Sequence, residues 1–187
     1  MRMLLLLSLA LGAVAAAIAE TKPKFQLGAI SKGRTMPSSI RVNGQYPPAK
    51  ATIEFSVTPT QDIPMKELVN FIYFFNDQNQ LVQQRSAALD LARMNFDMTK
   101  TLQKMEDLSR KTKSGSFSVP VDLPETAQAG KKYHYQHVIQ EKDPKWTHVV
   151  VVAGRRDADL SARVYPKTDL KSLNFADKSK ITYWYQP

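Results

Sequence analysis

Residues 131–154 read KKYHYQHVIQEKDPKWTHVVVVAG. Tyr133, Tyr135 and His137 share one side of an extended chain, and His134, Gln136 and Val138 the other, the period of two that marks a strand. Trp146 to Ala153 is a second run, and its valines from Val149 to Val152 suit a strand covered on both faces. Glu141 to Lys145, with Pro144 inside it, reads as the turn between them. The expectation is a hairpin, and a turn centred near Lys142 to Asp143 would put His137 and His148 almost opposite each other.

All three histidines of the chain lie in this stretch. His134 and His137 are three apart on a strand and point to opposite faces, so they do not hold one ion together. His148 with Glu141 nearby leaves a tetrahedral zinc set incomplete. The sequence predicts no metal site and no cofactor.

Outward from this stretch the same period recurs. In ATIEFSVTPT, from Ala51, the apolar Ile53, Phe55 and Val57 alternate with Glu54, Ser56 and Thr58, a half-buried strand. LVNFIYFFNDQNQLVQQ, from Leu68, is aromatic on both faces between Phe71 and Phe75, which predicts a central strand. Asn76 to Asn79 turn it into a partner beginning at Leu81. A calcium loop at Asp77 and Asn79 lacks its glycine and closing glutamate. An edge strand and loop are expected after residue 20, an edge strand around Pro120, which lacks a donor, and further strands at Leu160–Val164 and Ile181–Tyr185. From Ser86 to Lys111 the period changes: Leu91, Met94, Met98, Leu102, Met105 and Leu108 are spaced as one stripe of an amphipathic helix, with strand alternation of Ala92, Met94, Phe96 and Met98 as the competing reading.

Two segments carry a family resemblance. AGKKYHY, Ala129 to Tyr135, resembles the entry to strand F of immunoglobulin-like domains, where a small residue or glycine precedes a tyrosine that closes a corner. Tyr133 stands at the corner position, and Tyr135 where that family usually has a cysteine. FIYFFNDQNQLV is similar to a third strand turning tightly into a fourth. The implied fold is mainly β: an immunoglobulin-like two-sheet antiparallel sandwich with one inserted amphipathic helix, a single domain over 20–187 with the insertion at about 86–111. With no cysteine in the chain, the disulfide pin of antibody domains is absent. The export signal, size and cysteine-free sandwich are similar to bacterial immunoglobulin-like proteins associated with type IV pilus systems, which implies a pilus or other envelope protein as partner.

The compartment is read from the N-terminus. MRMLLLLSLALGAVAAAIAE has one Arg, an apolar run and a small-x-small site at Ala17–Ala19, a signal peptide over 1–19. Leu4–Ile18 falls short of the roughly 20 apolar residues that span a bilayer. An exported chain without cysteine points to the periplasm or surface of a bacterium. The formal charge of +9, to which the leader gives only Arg2, suits an anionic partner such as an acidic protein face, glycan or lipid. Export argues against nucleic acid.

No catalytic residue is predicted. The chain has no Cys, no G-x-S-x-G elbow and no H-E-x-x-H, and its seven glycines form no phosphate-cradling group. The expectation is a non-enzymatic binding or assembly protein of the bacterial envelope. Its candidate contact residues are Lys142, Lys145, Trp146 and His148, an aromatic among cations, and its candidate docking edges are the first strand and the Pro120 strand. A carbohydrate-binding module, with Trp146, Trp184, Tyr183 and Tyr185 as exposed rings, is the alternative, and a small hydrolase stands behind it.

Overall fold

A computed structural model of the chain describes residues 22–35, 44–45, 48–94, 123–140, 143–166, 168–169 and 171–185. The expected leader, residues 95–111 of the expected helix, the Pro120 strand and Lys142 lie outside the described residues.

The described chain is mainly β, in several antiparallel sheets. In the first sheet, strand β3 (Ala51–Pro59) is flanked on one side by β1 (Phe25–Leu27) and β2 (Ser31–Arg34) and on the other by β9 (Tyr133–Val138), which β7 (Ala88–Leu89) edges. The second sheet runs β12 (Ile181–Trp184), β11 (Leu160–Tyr165), β10 (His148–Arg155), β5 (Leu68–Phe75) and β6 (Leu81–Arg85). Every pair in these two sheets is antiparallel except β11 with β12. A small ladder joins β4 (Ile63–Pro64) to β8 (Thr126–Ala127).

Side-chain alternation decides what each strand buries. Ile53, Phe55 and Val57 of β3 and Tyr133 and Tyr135 of β9 share one apolar core with Ile72, Phe74, Val149, Val151 and Ala153 of the second sheet. The opposite faces of β5 and β10 present Tyr73, Phe75, Val150 and Val152 to a second core, closed by Leu173 and Phe175 from the chain before β12. The middle of the second sheet, β5 and β10, is thus buried on both faces, as its aromatic and valine runs predict. Each such side chain contributes about 1.5–3 kcal/mol on leaving water. The turn after β5 is built as expected: Asn76 Oδ1 accepts from the amides of Gln78 and Gln80, and Asn79 takes a φ of 59°.

The hairpin expected over 133–153 does not form. β9 pairs with β3 and β7, β10 with β5 and β11, and the two lie in different sheets. A strand as apolar on both faces as Val149–Val152 needs a neighbour on each side and cover above and below, and only the middle of the second sheet supplies both. Residues 139–147 are therefore a crossover. Ile139 N donates to Ala51 O at its start and Thr147 N to Phe75 O at its end. Asp143 fixes its middle, accepting from Gln140 N at 2.8 Å and from Gln83 Nε2 at 3.2 Å.

The helix expected from Ser86 does not begin there. Ala88 and Leu89 pair with Gln136 and Tyr135, Asp90 N donates to His134 O at 2.7 Å, and Leu91–Arg93 make a single 3-10 turn. Here the chain also crosses between sheets, and the Asn70 side chain holds the crossing by bonding both the amide and the carbonyl of Ala87. Ladder bonds to β9 replace helical ones, and Met94 enters the inter-sheet core.

Candidate functional site

Two inward-facing positions that should be apolar carry cations. Lys32 on β2 pairs with Ile53 of β3, and Arg163 on β11 pairs with Val151 of β10. Both partners face the core between the sheets. A long cation at such a position lays its stem along the apolar edge and brings its charge out to water. Lys32 does so in the seam between β1/β2 and β11, and Arg163 lies half-buried in the same seam, both beside aromatic rings.

Lys32 Nζ lies 4.7 Å from the Trp146 ring centroid and 6.0 Å from that of Tyr165. Trp146 is half-buried, with its ring edge-on to Phe74 at 5.5 Å. Two residues before Tyr165 on the same face, the Arg163 guanidinium sits 5.1 Å from the Tyr185 ring centroid, and its Nε is buried with no hydrogen-bond partner among the described residues. Tyr185 donates its hydroxyl to Phe25 O at 2.6 Å, and Ser161 Oγ donates to the same carbonyl at 3.0 Å, which ties β1 to the second sheet. Burial, with Tyr183 nearby, pushes the Tyr185 hydroxyl up, so it stays a donor. Tyr183 packs edge-on to Tyr185 at 4.8 Å and lines a cleft of about 490 Å³ with Lys22, Pro23, Lys24, Asp159 and Thr182. Asp159, the carboxylate of that cleft, is paired with Lys24 at 2.7 Å.

The seam gathers only part of what the sequence nominates. Trp146 is in it. Lys145 is exposed in the crossover. His148 points the other way, to the face that Val150 and Val152 share, with Nδ1 2.9 Å from Thr147 Oγ1. Of the rings put forward for sugar binding, Tyr183 and Tyr185 join Trp146, whereas Trp184 packs in the second core against Phe175. A register slip between Leu160 and Ser161, opposite Ile181 and Tyr183, sends Ile181 to that core as well, away from the side that simple alternation gives it. Lys32, Arg163 and Tyr165 go unnoticed in the sequence. Strand alternation alone puts Arg163 on the polar side of Leu160, Ala162 and Val164, and only the pairing with Val151 turns it inward.

The three histidines occupy three faces. His134 is on the outer face of the first sheet, His148 on the outer face of the second, and His137 between them, its ring 5.6 Å from Phe74. His137 Nε2 is buried with no partner among the described residues. Burial holds this imidazole below its ordinary value; a bond to the Ser86 backbone and the charge of Asp143 oppose the shift, and Arg85 adds to it. Burial pushes Asp143 up, but the Gln140 amide, the Gln83 side chain and the charges of His137 and Arg85 outweigh it and hold the carboxyl low. A second polar knot lies on the outer face of the first sheet. Glu54, nearly buried, accepts from Thr52 Oγ1 at 2.9 Å and Gln136 Nε2 at 3.2 Å and pairs with Arg93 at 2.8 Å. Its bonds are internal to the sheet and its turn, a structural role. No protein-family model, curated protein or solved structure matches the chain.

Proposed function

We propose that this chain is an exported, non-enzymatic binding component of a bacterial envelope, built on an immunoglobulin-like sandwich and recognising an anionic partner through the seam between β2 and β11. What supports the fold is strand order. β1/β2, β3, β9 and β7 follow the A-B-E-D order of that family, and β6, β5, β10 and β11 its C′-C-F-G, with β12 added beside the last. In this assignment Tyr133 belongs to the E position rather than to F. Its hydroxyl still closes a local corner, accepting from Gln128 N at 2.8 Å.

The observation that carries the binding reading is the pair of cations at core positions, Lys32 and Arg163, each against a half-exposed ring. A seam needed only for packing has no use for them. Docking by strand addition has weaker support. The Phe25 carbonyl of β1 is already taken by Ser161 and Tyr185, and β2 points Lys32 inward after a one-residue slip in register, two devices that blunt an edge. The outer strand of the second sheet, β6, likewise carries a register slip, and its Arg85 and Gln83 approach Asp143.

The test is retention of the full exported chain on washed envelopes of its host, followed by chemical cross-linking. The expected result is retention that salt weakens and that Lys32→Glu abolishes, with cross-links concentrated at Lys22, Lys24 and Lys32. Retention indifferent to Lys32→Glu, with cross-links at Lys131 and Lys132 instead, overturns the seam as the binding face. Cross-linked pilus or other envelope subunits would identify an assembly role.

A further inference from the structure

From the spacing and chemistry of the seam we infer that its ligand is a linear anionic polysaccharide, an inference that rests on the seam being the binding face. Three features select this class. Four rings gather along the seam: Tyr183 on β12 and Tyr185 just past its end, edge-on at 4.8 Å, then Tyr165 and Trp146, both beside Lys32. Several rings set along a seam suit a chain of repeated units better than a single small molecule. The seam is also half-exposed rather than sunk in a pocket, so a polymer can lie along it without threading.

Charge supplies the sign. Lys22 and Lys24 stand at the Tyr183 end, Arg163 in the middle and Lys32 at the Trp146 end, against one carboxylate, Asp159, which Lys24 already neutralises. From Asp159 to Tyr165 the seam runs about 20 Å at strand rise. Cations and rings thus alternate over the length of a short oligosaccharide. A purely apolar or neutral-sugar strip would not carry the two inward cations. A protein's acidic face would not need the rings.

The experiment is calorimetric titration of the full chain with alginate and heparin oligosaccharides, alongside cello-oligosaccharide, polyglutamate and oligo(dT). Expected is binding to at least one of the anionic oligosaccharides, weakened by salt, with neither cello-oligosaccharide nor polyglutamate binding comparably. Lys32→Gln and Tyr183→Ala should each weaken it roughly fivefold, the size of one exposed cation or ring contact. Tyr183 belongs to neither apolar core but packs edge-on to Tyr185, so its variant is compared with the parent by melting temperature as well as by affinity, and the weakening counts as binding where it exceeds any loss of fold. Equal binding of polyglutamate reduces the seam to a generic polyanion surface, and tighter binding of oligo(dT) makes it a nucleic-acid strip; either overturns the inference. If no oligosaccharide binds while Lys32→Glu still abolishes envelope retention, the polysaccharide is wrong and the seam remains the binding face. If both fail, the binding reading falls with it.

Discussion

Single residues carry two of the testable consequences. Gly33 sits where a Cβ would run into the Glu54 carboxylate and Thr52 Oγ1, so glycine is what lets Glu54 lie across β2 and reach Arg93. Gly33→Ala should cost about 1–2 kcal/mol, the lower part of the overpacking range, by displacing that carboxylate. In a Glu54→Ala background the same change should cost much less, because the group it displaces is gone. Chemical denaturation of the four proteins measures the coupling, and strict additivity would show that the strain lies in the backbone instead. His137 gives a pH dependence. Its imidazole is depressed in the folded protein from an ordinary 6.5, so the unfolded chain takes up the proton first. The stability it contributes is complete above pH 6.5 and is lost as pH falls through the folded value. Glu54, held below its ordinary 4.5 with burial opposed by its three hydrogen-bond partners and the charge of Arg93, adds a second loss at lower pH. Thermal melts from pH 8 to 4 should therefore decline in two stages. His137→Phe should remove the first, and a first stage unchanged in that variant would assign it elsewhere.

At the level of the elements, what could be read in advance and what could not divide on physical grounds. β5 and β10 declare themselves because burial on both faces leaves no polar parity, and Phe71–Phe75 and Val149–Val152 have none. The Asn76–Asn79 turn was legible because its chemistry is local. Which strands pair is another matter. β9 and β10 are adjacent in sequence, and nothing in 139–147 says that the link crosses between sheets rather than turning back; the choice is made by distant β3, β5 and β11. The Leu91 and Met94 spacing reads as helical because a 3-10 turn and a helix place such residues on nearly the same side, while the ladder to β9 that decides otherwise involves residues over forty positions away. Lys32 and Arg163 stayed hidden because a cation on a strand reads as a solvated face until the strand's partners are known. One corner was legible in chemistry though not in position. Tyr133→Phe removes the acceptor of the Gln128 amide and should destabilise by about 1–2 kcal/mol, with little change in fluorescence or secondary structure. A loss below a few tenths would mean that water takes over that amide and that the corner is not held by the tyrosine.

On the scale of the whole molecule, the unusual feature is that one sheet serves two cores. Val149 and Val151 face one, Val150 and Val152 the other, and β5 divides its side chains in the same way. Neither core can lose its packing without unsettling the strands that build the other, so the described domain should unfold as one unit. The chain contains its own reporters, because its two tryptophans are divided between the cores: Trp146 packs against the inter-sheet core and Trp184 against the outer one. Trp146→Phe and Trp184→Phe each leave a single fluorophore, and after correction for the substitution itself the two should report the same cooperativity and the same transition as circular dichroism. Phe175→Ala then tests the coupling directly. Phe175 lies wholly in the outer core, against Tyr73, Phe75 and Trp184, and its truncation should cost about 3–5 kcal/mol. Trp146, on the far side of the shared sheet, should register that full loss. If Trp184 reports an early transition while Trp146 keeps its original midpoint, the outer core is a separable layer that can loosen without the inter-sheet core, and the shared strands do not couple the two.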